Sequence, residues 1–204
     1  MSAKIKLNAA SGGGSFSLQA PSSSANTRVM TLPDTADGTI LTTTNPRSGN
    51  TVQTVTANSH TRLDTTSTSY VASSHSITIT PIFANSKILV NFTLLFNTGG
   101  TNHRGFLDVY RSINGGTFAG IAPVGSNETI GASNGSGFFS QIRGDSSRIQ
   151  VPTHIHYLDT PSYSLGNAII YKLYARSNNS GQTIEIPSGS NAEPVVMMLT
   201  EIAA

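Results

Sequence analysis

Two groups of residues have the types and spacing to do chemistry. Gly131-Ala132-Ser133-Asn134-Gly135 has the G-x-S-x-G pattern in which a strained strand-to-helix turn lifts a serine nucleophile, and Asp145, His154 and His156 follow it in a triad-like order. The elbow needs a helix behind the serine to help build an oxyanion hole. Here Ser136-Gly137-Phe138-Phe139 follows, which is the start of a strand, so the segment reads as a loop and no catalytic residue is assigned. The second group is His154-Ile155-His156. Alternate residues of a strand point to one face, so two imidazoles can approach one ion. Two ligands do not complete a site. In a trimer with this strand near the axis, three pairs would supply six nitrogens, which makes His154 and His156 candidate metal ligands across a trimer axis. The competing reading is that both bond Ser or Thr hydroxyls on a solvent-facing or partner-facing surface. His60, His75 and His103 have no partner at ligand spacing and read as loop or edge residues.

Carboxylates are few. Asp108 and Asp159 fall in or beside strands and Glu193 and Glu201 flank the last one, where solvated edges and strand-end contacts are expected. A sugar-cleaving site would need two of them facing each other across a groove. Tyr157, Tyr163, Tyr171 and Tyr174 cluster in the last third, and a tyrosine offers a flat apolar face with a polar tip suited to carbohydrate or protein surfaces. Most of them should serve the core or an interface.

The elements that position these groups are read from composition and period. Charged residues make up 11% of the 204 residues and aromatics 7%, while Ser and Thr are the commonest types. That is a strand-and-turn composition. A net charge of +2 with scattered Lys and Arg excludes a phosphate-tracking surface, so no nucleic acid partner is expected. Without cysteine there is neither a disulfide framework nor a thiolate metal site, and no cofactor is expected. No run approaches a membrane span, and the N-terminus lacks a signal-like apolar stretch, so the chain is expected to be made in a cytoplasm without membrane insertion.

Residues 1–47 carry four short apolar pairs, Ile5/Leu7, Phe16/Leu18, Met30/Leu32 and Ile40/Leu41, separated by turn-forming stretches. So little apolar area cannot offset roughly 1–2 kcal/mol of backbone entropy per ordered residue. An extended attachment arm that orders on partners is the expectation. From Asn50 onward the period becomes two. Ser76–Thr80 alternates, Lys87–Phe96 is long and apolar, and Phe106–Arg111 with Thr117–Ile121 flanks Asn114-Gly115, which supplies the positive φ angles of a tight hairpin. Further strands are predicted at 137–143, 148–158, 168–175, 182–187 and 195–202. The fold class predicted for residues 48–204 is an all-β, antiparallel β-sandwich of jelly-roll type.

The chain resembles the virion fibre proteins of tailed bacteriophages, particularly marine and cyanobacterial phages. The arm carries Leu18-Gln19-Ala20-Pro21, Leu32-Pro33-Asp34-Thr35 and Gly38-Thr39-Ile40-Leu41-Thr42, similar to strings common at their attachment regions. The sandwich carries Ser67–Val71, Ile77–Pro81, Ser86–Val90, Leu158–Pro161, Tyr171–Tyr174 and Met198–Ile202 in the same order. The resemblance implies a non-enzymatic, homotrimeric virion protein. Residues 1–47 would fix it to other tail or capsid proteins, and the sandwich would face a host surface polysaccharide or protein. A short tail fibre or adhesin is the leading expectation. The chain lacks the shaft repeats of longer fibres, which keeps a capsid or tail decoration protein as the alternative, with a polysaccharide-degrading tailspike enzyme behind it.

Overall fold

The computed structural model describes residues 4–19, 22–25, 27, 46–100, 102–122, 140–144, 149–187 and 193–204. The chain divides into two units, Met1–Ile40 and Leu41–Ala204, where the sequence reading put the boundary between residues 47 and 48. In the first unit β1 (Lys4–Asn8) and β2 (Ser15–Gln19) pair antiparallel, so part of the arm is a hairpin. Its register sets Ile5 opposite Leu18, and Ile5, Leu7 and Leu18 remain exposed. A lone two-stranded hairpin is marginal in water. The pairs Met30/Leu32 and Ile40/Leu41 lie outside the described residues.

The second unit is all-β, with no helix among its described residues. Its strands are β3 (Thr51–Ser59), β4 (Leu63–Thr65), β5 (Val71–Ile79), β6 (Lys87–Thr98), β7 (His103–Ile113), β8 (Ala119–Gly120), β9 (Ser140–Gly144), β10 (Ile149–Asp159), β11 (Ile169–Ser177), β12 (Ile184–Ile186) and β13 (Val195–Ile202). One sheet is centred on β6. Residues 88–98 of β6 pair with β10 on one side, while β13 and then β12 pair along the other. β3 lies beyond β13 and β4 beyond β12. The first sheet therefore has four lanes in the order β10, β6, β12/β13, β3/β4. The second runs β5, β11, β7, with β8 and β9 sharing the last lane. All pairings are antiparallel, and the sheets face each other as a sandwich.

Alternation decides which side chains lie between the sheets. Ile88, Val90, Phe92, Leu94 and Phe96 of β6 point inward against Ile169, Tyr171 and Leu173 of β11 and Leu107 and Val109 of β7, all buried. Gly105 makes room for this packing, because a Cβ there would come within 2.7 Å of the Phe96 ring. The β7–β8 turn is built as its sequence predicts, with Asn114 at φ 51° and Gly115 at φ 74°. Polar locks tie the two sheets. Arg111 of β7 makes two hydrogen bonds of 2.7 and 2.6 Å to the Asp159 carboxylate of β10, which also accepts the Tyr171 hydroxyl at 2.8 Å.

The sandwich has distinct poles. At one, which we call basal, the chain enters, and Gly49 N–H donates to the Ala203 carbonyl at 2.9 Å beside the chain's exit. The 80–86 loop is fastened there by Glu201, and the Tyr163 hydroxyl joins the 160–168 loop to it by donating to the Phe83 carbonyl. Asn114 N–H donates to the Ala168 carbonyl at the same pole. The opposite, distal pole is formed by Ser67, Gly99 and the loop after β11, joined by Ser177 N–H to the Ser67 carbonyl and Gly99 N–H to the Thr183 carbonyl.

Candidate functional site

The G-x-S-x-G segment, residues 131–135, and Asp145 lie outside the described residues. His154 and His156 do share one face of β10, exposed on the outside of the first sheet. Each Nδ1 is hydrogen-bonded to β6, His154 with the Thr93 hydroxyl at 3.1 Å and His156 with the Asn91 carboxamide oxygen. Among the described residues no group of three or more His, Cys, Asp or Glu comes together to hold a metal. One chain thus supplies two aligned imidazoles.

The other polar residues depart from expectation. His75 and His103 are buried in the domain, 0% and 1% exposed, and are not loop or edge residues. His75 sits on the inward face of β5 with no well-formed hydrogen bond to either ring nitrogen, and burial holds its pKa below the usual imidazole value against a weaker opposing contact with the Ile186 backbone. His103 is bonded through Nδ1 to the Thr98 hydroxyl and through Nε2 to that of Ser177, and burial again lowers its pKa. His60 follows the end of β3 and is exposed. Asp108, Asp159 and Glu201 are buried too, which corrects the expectation of solvated edges. They do not meet. Asp159 lies between the sheets with Arg111, Glu201 fastens the basal loop, and Asp108 is on the outward side of β7.

That outward side of the second sheet carries a cluster that the sequence reading largely missed. β7 presents Phe106, Asp108 and Tyr110 at alternate positions, and β11 presents Lys172, Tyr174 and Arg176 opposite them. The Tyr110 and Tyr174 rings stack with centroids 3.9 Å apart and planes 20° from parallel. Tyr70 approaches Tyr110 at 5.8 Å and Phe118 approaches Tyr174 at 6.2 Å, extending the pair to a row of four rings. Cations cap both ends. The Arg176 guanidinium lies 5.3 Å from the Tyr70 ring and 4.0 Å from Phe106, and the Lys172 ammonium lies 5.0 Å from Phe118.

Asp108 sits beneath this row. Val109 N–H donates to its Oδ1 at 2.7 Å, and a Cβ at Gly120 would come within 2.6 Å of its Oδ2, so a larger residue there would have to displace the carboxyl. Burial pushes the Asp108 carboxyl up to about 7, against the opposing backbone hydrogen bonds of Val109 and Ala122. Burial, reinforced by the Asp108 charge, raises the Tyr70 and Tyr110 phenols above their usual range, and burial alone raises Tyr174. The phenols therefore remain neutral hydrogen-bonding groups at physiological pH. Apolar ring surface, phenol hydroxyls and two cations are gathered on one half-buried face, an arrangement suited to holding a polyhydroxylated or polar surface.

Of the four tyrosines singled out by their sequence proximity, only Tyr174 belongs to the row. Tyr171 is fully buried, and Tyr163 donates its hydroxyl to Phe83 and accepts Ser86 N–H at the basal pole. The signal that could have found the row is alternation within β7 and β11, read jointly. No protein-family model matches this sequence, and no curated protein is similar to it.

Proposed function

We propose that the chain is a virion structural protein of a tailed bacteriophage, a homotrimeric short tail fibre or adhesin that meets the host surface through its sandwich. The observation that carries this reading is the row Tyr70–Tyr110–Tyr174–Phe118, capped by Arg176 and Lys172 on the outer face of the second sheet. Such a face offers ring surface, hydroxyls and cations for recognition, while the neighbouring carboxylates Asp64 and Glu185 on the other sheet are both tied up by Arg62. The lane orders β10-β6-β13-β3 and β5-β11-β7-β8/β9, with the chain crossing between sheets at most connections, are compatible with Greek keys wound into a jelly roll. That supports the jelly-roll form of the sandwich. Residues 46–50 lead into β3 at the basal pole, which suits attachment from the N-terminal side of the domain.

A decoration protein is the second reading, favoured by a sequence that carries no shaft repeats between the arm and the sandwich. The test is binding of the labelled full chain to cells of a permissive strain. Tyr110→Ala with Tyr174→Ala is expected to weaken binding about tenfold or more, roughly 1.4 kcal/mol, the scale of a recognition hot spot. Unchanged binding by the folded double variant would overturn the role given to the row.

A further inference from the structure

The outward positions of the first sheet have a different character from those of the second. Leu158 of β10 and Val196 of β13 are 44% and 45% exposed, the most exposed large apolar residues in any strand of the sandwich. Leu89, Leu95, Met198 and Ile202 lie half-buried around them, with Leu158 directly opposite Leu89 across the β10–β6 ladder. The polar outward groups between them, Asn91, Thr93, Thr54 and Thr56 with His154 and His156, include no Lys, Arg, Asp or Glu. Charge is confined to the margins. Lys87 stands at one end, and at the other Arg62 pairs with Asp64 at 2.6 Å and Glu185 at 2.7 Å. The second sheet, by contrast, turns Lys172, Arg176 and Asp108 to its outer side.

We infer that this face packs against second copies of the same chain. This rests on the homotrimeric reading above and names the surface that would form its seam. A second copy is the occupant the chemistry favours, because faces without fixed charge at their centre can gather around a three-fold axis, each touching both neighbours without repulsion, whereas a basic or acidic partner would find nothing to pair with. Size is consistent with this. Four lanes at about 4.8 Å spacing, over roughly 30 Å of strand, give about 600 Å² per copy. A standard stable interface buries about 800 Å² per partner, so the flat face and its rims approach what is needed. Association through the edge is discouraged instead. β10 is an edge strand, and Pro152 removes one of its backbone donors, a device that blunts strand-to-strand addition. In such a seam His154 and His156 of each copy would lie inside the contact.

Light scattering on the full chain tests this, with Leu158→Lys and Val196→Lys combined. The double variant is expected to be monomeric at concentrations where the parent is trimeric, while Ser76→Lys with Thr78→Lys, on the outer face of β5, leaves the trimer intact. Because the chain has no cysteine, a single thiol reports on the seam without disturbing it. Thr93→Cys should react with a maleimide at least tenfold more slowly than Thr78→Cys in the assembled protein. This measurement decides the matter if the lysine variant fails to fold. A trimer that survives both lysines, or equal labelling at the two cysteines, would overturn this face while sparing the trimer. A monomeric parent would overturn both.

Discussion

Buried groups of opposite sign set the expected response of stability to pH, with His103 acting in the same direction as His75. His75 is fully buried, and burial outweighs its contact with the Ile186 backbone, so its charged form is disfavoured and the unfolded chain binds the proton more readily. Stability from this group is present above the ordinary imidazole value and is lost as pH falls through it. Asp108 works the other way. Its carboxyl is raised to about 7, from an ordinary 3.8, so the folded state binds the proton more readily and stability increases as pH falls from about 7 toward 4. His75→Leu is therefore expected to raise stability at every pH and most at pH 5, by about 1–3 kcal/mol, the scale of a poorly satisfied buried polar group, with a matching rise in melting temperature. Asp108→Asn should stabilise at pH 8 and do little at pH 5. Calorimetry from pH 5 to 8 checks both, and parallel pH profiles for the parent and the two variants would refute the assignment. These residues were poorly legible in the sequence because side-chain polarity argued for the surface while strand parity argued for the core. His75 shares its parity with Ile77 and Ile79, and parity prevails.

At the scale of the element, strands with clean alternation or long apolar runs were legible. The segment 195–202 is found at its predicted bounds, the 87–96 prediction becomes Lys87–Thr98, and Asn114-Gly115 forms the expected turn. β3 and β4 were not predicted. Thr51–Ser59 holds only Val52, Val55 and Ala57 as apolar residues, and these do not keep a period of two; it becomes a strand because β13 pairs along it from Ser59 to Thr51. The polar locks between elements were invisible, since they join residues far apart in sequence. Glu201 of β13 is the clearest. Its carboxylate accepts N–H groups of Ile82 and Phe83, the Ser86 hydroxyl at 2.8 Å and the Gln53 carboxamide at 2.6 Å, closing the basal loop. Glu201→Ala leaves these donors unpaired and is expected to cost about 3 kcal/mol or more in urea unfolding. Amide exchange at Ile82 and Phe83 should accelerate with it. A loss below about 1 kcal/mol would show that the loop holds itself.

For the whole molecule, composition and period were enough to give the all-β sandwich, because two antiparallel sheets are the economical way for short strands to bury one face each. Which outer face does what was not legible. That depends on cross-strand neighbours such as Tyr110 with Tyr174 and Leu158 with Leu89, and lane order brings them together. The proposed division of labour is the central claim: one face without fixed charge would serve assembly, an aromatic face recognition, and the N-terminal arm attachment to a particle. Immunogold electron microscopy of particles purified from the lysates in which this chain is made tests it most directly. Label concentrated on the tail is the expected result, label on the capsid would select the decoration reading, and particles free of label would contradict the account.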